Sequence, residues 1–192
     1  PFQVPPEIKS KSMDEKYLDA ESIVRRFRYY CETHEFLGES FPNLNADFGP
    51  GSLAAYLESG IRFQPNTVWF DPCVEDWADY PKIQFDPENK WFKEHIRVFS
   101  ECKKIIGNDF PIAIPDLMEN VDVLASMRGA MDLLYDMIDD EEEIVKRVQE
   151  VTNCYQQYYD AFYKYAEYEG GSAYTVFQIF GSGKTQKLQC DF

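Results

Sequence analysis

FPIAIPDLMENVDVLASMRG, residues 110–129, is the stretch whose reading decides the fold. Phe110 to Ile114 is a short apolar run carrying two Ile, which suits a buried strand. Pro115 has no N–H to give a sheet ladder, so the strand ends there. Asp116 then stands at its carboxyl end. Glu119 and Asn120 open a helical pattern in which Val121, Leu124 and Met127 share a face, with Arg128 and Gly129 at its close. A buried strand, a polar corner and a returning amphipathic helix make one β/α unit. Such units place chemistry at the carboxyl ends of their strands. Asp116 therefore has two readings at this point: a member of a site, or a cap on its own helix.

Upstream, FPNLNADFGPG (41–51) repeats the pattern. A short run ends in Asn45-Ala46-Asp47, turns through Gly-Pro-Gly, and continues as SLAAYLESG, a short helix closed by Gly60. Asp47 is thus a second carboxylate at a strand-to-helix corner. Thr67–Asp71 reads as a strand by its β-branched and aromatic content, within an insertion of about residues 61–85. Downstream, AYTVFQIF (173–180) is a third candidate for a core strand, and 186–191 a fourth.

Helical patterns fill the intervals. Asp19 to about His34 forms one, with Ile23, Phe27, Tyr30 and Cys31 on one side and three Arg beside them. Asp86-Pro87 supplies a start signal for the next, whose Phe92, Ile96, Phe99, Cys102 and Ile106 step to Gly107. His95 lies beside that stripe and reads as a packed or surface residue. MDLLYDMIDD is a short helix, and Asp139 or Asp140 starts a long one striped by Ile144, Val151, Tyr158 and Phe162. The GSGKT segment (181–185) lacks the first glycine of a phosphate loop, because residue 178 is Gln, and no helical period follows. The alternation of strands and helices gives an α/β class with parallel strands.

The formal charge is −15, from 34 acidic against 19 basic residues. That opposes nucleic acid and anionic membrane surfaces as partners. Cysteines 31, 73, 102, 154 and 190 are scattered without paired spacing, which reads as free thiols in a reducing cytoplasm. No apolar run approaches the ~18 residues of a membrane span. Residues 1–40 read as an arm and a helix, and 41–192 as the main domain. Residue 1 is Pro, and a strand-like run reaches Phe192, so the expectation is a piece of a longer protein.

Three stretches together carry a family resemblance: Pro115-Asp116-Leu117 with DVLASMRGAMDLLYDMIDDEEEIVKRV, NADFGPGSLAAYLESGIRF, and FQIFGSG followed by LQCDF. In order and spacing the chain resembles the uroporphyrinogen decarboxylase superfamily, which also holds the corrinoid-dependent methyltransferases. The resemblance implies the earlier half of a (β/α)8 TIM barrel, truncated at both ends. Asp47, Asp116 and Gln178 each follow or end a strand candidate, so barrel geometry would bring them to one cavity, with Asp47 and Asp116 as its catalytic carboxylates. Asn45, Phe48, Glu119, Asn120 and Phe180 would contact a small-molecule substrate there. Asp47 matches the carboxylate with which decarboxylases hold pyrrole N–H groups and a developing cation. The corners offer Asp and Glu where a substrate with eight carboxylates wants Arg, which ranks methyl transfer ahead of decarboxylation. A non-catalytic fragment or interaction module is the competing class. In the methyl-transfer reading a zinc ion, with Cys190 a possible ligand, and a corrinoid partner are implied; the decarboxylase reading needs no cofactor. Half a barrel would leave an apolar face at residues 173–180, to be covered by the remaining half or another copy.

Overall fold

The structure, a computed structural model, describes residues 8–118 and 120–186. Helices dominate it. Helix α1 (Met13–Tyr17) leads into α2 (Ala20–Thr33), which Asp19 caps by accepting from the Ser22 N–H at 3.0 Å. Ile23 and Val24 of α2 enter the same core as the rest of the described chain. Helix α3 (Ser52–Tyr56) is short and wholly buried.

Helix α4 (Lys90–Ile106) starts later than Asp86-Pro87 suggests. Asn89 is the cap, its side-chain oxygen accepting from the N–H groups of Trp91 and Phe92 at 2.9 and 3.1 Å. Asp86 closes the preceding turn instead, accepting from Glu88 N–H at 2.9 Å. Gly107, at φ +57°, ends the helix as expected. Helices α5 (Asn120–Arg128), α6 (Ala130–Asp139) and α7 (Glu141–Ala166) follow, and Asp140 caps α7. Ile144, Val151, Tyr158 and Phe162 of α7 are buried, as their spacing demands.

The described residues do not form the expected partial (β/α)8 barrel. The sheets among the described residues are two antiparallel pairs, β1 (Gly60–Phe63) with β2 (Val68–Asp71), and β3 (Ala173–Tyr174) with β4 (Phe180–Gly181). The segments expected as parallel barrel strands meet only as isolated bridges, Leu44 with Ile112 and Ile114 with Thr175. Proline explains part of this: Pro111 and Pro115 bracket the central run, so it cannot donate at either position to a growing ladder. The run 173–180 fails for another reason. It turns at Thr175–Gln178, with Gln178 at φ +58° and its N–H on the Thr175 carbonyl at 2.9 Å, and folds back on itself. Residues 186–191 as a strand lie outside the described residues, apart from residue 186. The hairpin β1–β2 pairs Gly60 with Asp71 and Phe63 with Val68, so Gly60 begins a strand rather than closing a helix.

Between β2 and α4, residues 72–89 run as a strap without regular secondary structure over α6 and α7. The Trp77 indole donates to Asp136 at 2.9 Å, Ile83 N–H to Glu150 at 3.0 Å, and Asp86 N–H to the Tyr158 hydroxyl at 3.0 Å. Arg147, almost wholly buried, holds the middle of the strap. Cys31, Cys73, Cys102 and Cys154 are free thiols. No helix among the described residues is long and apolar enough to cross a membrane.

Candidate functional site

Two loops meet where the isolated bridges end. The first runs from Ala46 to Ser52, and the second from Pro115 to Met118. The Asp116 carbonyl binds them together, accepting from Gly51 N–H at 3.3 Å and from the Ser52 hydroxyl at 3.2 Å. The approach is close. A Cβ on Gly49 would lie 2.6 Å from Val68 Cβ, and one on Gly51 would lie 2.8 Å from Met118 Sδ. Both glycines also sit at positive φ, +91° and +88°, which other residues adopt with strain. Met118 itself takes φ +59°, an uncommon value for a side-chain-bearing residue, and its N–H donates to Asp116 Oδ1 at 3.1 Å.

This junction brings Asp47 and Asp116 within electrostatic reach of each other. Asp47 is half-buried, yet its Oδ1 is closed off from solvent and has no hydrogen-bond partner. Burial raises the pKa of the carboxyl as a whole, the Asp116 charge raises it further, and the Gly49 and Phe48 amides and the Ser52 hydroxyl draw it partly back, leaving it at about 7. Native proteins pair almost every buried polar oxygen, so an orphan at such a position asks for an explanation. Asn43 Oδ1 is a second orphan on the same segment, although its Nδ2 donates to the Thr175 carbonyl at 3.1 Å.

Behind Asp47 stands a neutral relay. His95 is fully buried in α4, its ring stacked on Phe48 at 3.9 Å between centroids. Its Nε2 lies 2.8 Å from the Ala46 carbonyl, which can only accept, so Nε2 carries the proton. Nδ1 is then an acceptor, and the buried Tyr56 hydroxyl donates to it at 2.5 Å. Burial pushes the His95 pKa down to about 3, so the ring stays neutral at ordinary pH. The relay fixes the residue immediately before Asp47.

The remaining expected site residues scatter. Phe48 is fully buried and packs on His95, Trp91 and Phe63. Asn45 is exposed, immediately before the loop that begins at Ala46. Gln178 and Phe180 are exposed in the β3–β4 hairpin, whose Phe177 and Ile179 also face outward. Asn120 lines a separate cavity of about 380 Å³ with Tyr155, Tyr159 and Lys184. Lys184 pairs there with Asp160 at 2.7 Å. Glu119 and Cys190 lie outside the described residues. No known protein family, curated protein or solved structure matches the chain.

Tyr56 and His95 were not singled out as site residues by the sequence. One signal was available: His95 falls in step with Phe92, Phe99 and Cys102, so it belonged to the buried stripe. Ser52 gave no comparable signal. The zinc implied by the resemblance finds no cluster of three or more His, Cys, Asp or Glu among the described residues.

Proposed function

We propose that the chain carries the proton-handling corner of a small-molecule enzyme of the uroporphyrinogen decarboxylase kind, with Asp47 as the acid–base group. One observation supports this reading: a buried carboxyl oxygen without a partner, beside a second carboxylate. A carboxyl with a pKa of about 7 is divided between its two forms at neutral pH, which suits both giving and taking a proton. Asp116 raises that pKa, and the Tyr56–His95 relay holds the backbone beside it.

Transfer of a methyl group to a thiol is the reaction we favour, with decarboxylation second. A pair of carboxylates repels a substrate bearing many carboxylates, whereas a thiol meets no such repulsion. Asp47 would accept the S–H proton as the sulfur forms its bond to carbon, and its proton affinity lies within about 1.5 units of a free thiol's. A corrinoid partner would supply the methyl group as a cation equivalent and would keep the electron pair of the bond that held it. The assay uses the full-length protein, with methylcobalamin and a thiol in one arm and a porphyrinogen in the other. Asp47→Asn is expected to lower turnover by about 10²–10⁴-fold while the protein stays folded. Equal turnover in the variant, or none in either arm with the unaltered protein, removes the reading.

A further inference from the structure

Helix α6 is apolar on two opposite sides. Leu133 is buried and Met137 packs against the core. Met131, Leu134, Tyr135 and Ile138, spaced i, i+3, i+4 and i+7, all face outward, and Ile138 is 80 % exposed. Val145, 60 % exposed, continues the stripe onto the first turns of α7. Between the two helices Met137, Ile144, Val145, Val148 and Glu141 line a notch of about 300 Å³. A lone exposed apolar residue is ordinary, but a helical stripe ending in a notch is the shape of a docking surface.

The charge around the stripe identifies the occupant. From Gly129 to Val145 there is no Lys or Arg, against carboxylates at 132, 136, 139, 140, 141, 142 and 143. Asp136 is paired with Arg128, and Glu143 with Lys146 and Arg147. Asp132, Asp139, Asp140, Glu141 and Glu142 form no ion pair among the described residues. A second copy would bring the same acidic rim against this one, and an anionic membrane would be repelled likewise. We infer that this face receives an amphipathic helix of a partner protein, with large apolar residues at i, i+3 or i+4 and i+7 and Lys or Arg along both edges. One apolar side chain would enter the notch, and the basic edges would meet Asp132, Asp139 and Glu142.

The test titrates the full-length protein against a fluorescent helical peptide of Leu and Lys in that register, read by anisotropy. A peptide with Glu in place of every Lys is the control. The Lys peptide should bind saturably and more weakly as salt rises, and the Glu peptide should not bind. Leu134→Glu with Ile138→Glu, both exposed, should leave the thermal midpoint in place and weaken binding at least about tenfold. Asp139→Lys with Glu142→Lys should weaken the Lys peptide and admit the Glu peptide. Three results would overturn the inference: no saturable binding, binding unchanged in the Leu134/Ile138 variant, or dimerisation of the protein alone that this variant abolishes. None of these readouts depends on activity.

Discussion

Arg147 and Asp47 are both ionisable residues drawn into the interior, and they reach opposite conditions. Every donor of Arg147 is used: Nε on Glu143 at 2.7 Å, one terminal nitrogen on the Pro81 carbonyl at 2.9 Å and Glu150 at 3.1 Å, the other on the Trp77 and Tyr80 carbonyls at 2.6 and 3.0 Å. Five N–H groups find five acceptors, which is the full capacity of a guanidinium. Asp47 instead keeps an enclosed oxygen unbonded, beside another carboxylate. Burial is therefore a poor mark of a site in this molecule. Unmet bonding capacity is the better one, because a saturated group has nothing left to offer a ligand.

The strongest way to break this comparison is at Arg147. Arg147→Met should destabilise the fold by about 3–5 kcal/mol, since Glu143 and Glu150 each lose their buried cationic donor and three carbonyls lose an N–H together. Denaturant unfolding measures it, and a loss below about 1 kcal/mol would mean that the strap is held elsewhere.

Asp47 should behave in the opposite sense, and pH exposes it. An unfolded Asp releases its proton near pH 4, whereas folded Asp47 holds its proton to about pH 7. Between those values the folded state binds more protons, so this group's contribution to stability falls as pH rises. His95 works against it: folded at about 3 and unfolded near 6.5, it contributes stability that is lost as pH drops below about 6.5. Tyr17 and Tyr56 also sense the Asp47 charge, and the raised pKa of both keeps them protonated throughout this window. Asp47→Asn should therefore match the unaltered protein near pH 4 and gain on it by up to about 1.4 kcal/mol per pH unit, levelling above pH 7. Parallel stability curves for the two proteins would show that Asp47 titrates normally.

The smallest effect sharpens the comparison at His95. Glutamine can keep a donor on the Ala46 carbonyl, whereas leucine leaves that carbonyl and the Tyr56 hydroxyl unpaired. His95→Leu should be less stable than His95→Gln by about 1–3 kcal/mol. Equal unfolding midpoints would reduce the relay to ring packing.

What could be read from the residues follows the range of the interactions. Helices α2 and α7 were legible because cap and stripe are local: Asp19 and Asp140 stand beside the turns they cap. The parallel strands were inferred from alternation and the barrel from the family resemblance, and neither says which segments of this chain pair. Pro115 reads as a strand end and Pro111 as part of the run, and their joint effect on a ladder appears only when neighbours are placed beside them. The run 173–180 looked continuous because nothing at Gln178 advertises a left-handed turn. At the site, the polar corner at Asp47 was legible and its orphaned oxygen was not. His95 meets Tyr56 and Ala46 across 39 and 49 residues of chain, a distance no local pattern reports.

Helix α7 has a consequence for the order in which the molecule assembles. Its 26 residues form a rod of about 39 Å, and a rod closed by hydrogen bonds four residues apart can form early. The strap cannot. Its bonds to Arg147, Glu150 and Tyr158 each close a loop of some 66 to 72 residues, and that entropy is lost before any contact repays it. The strap should thus settle last, on a surface already built. Its residues then govern how fast the native protein opens, while leaving the rate at which it folds largely untouched.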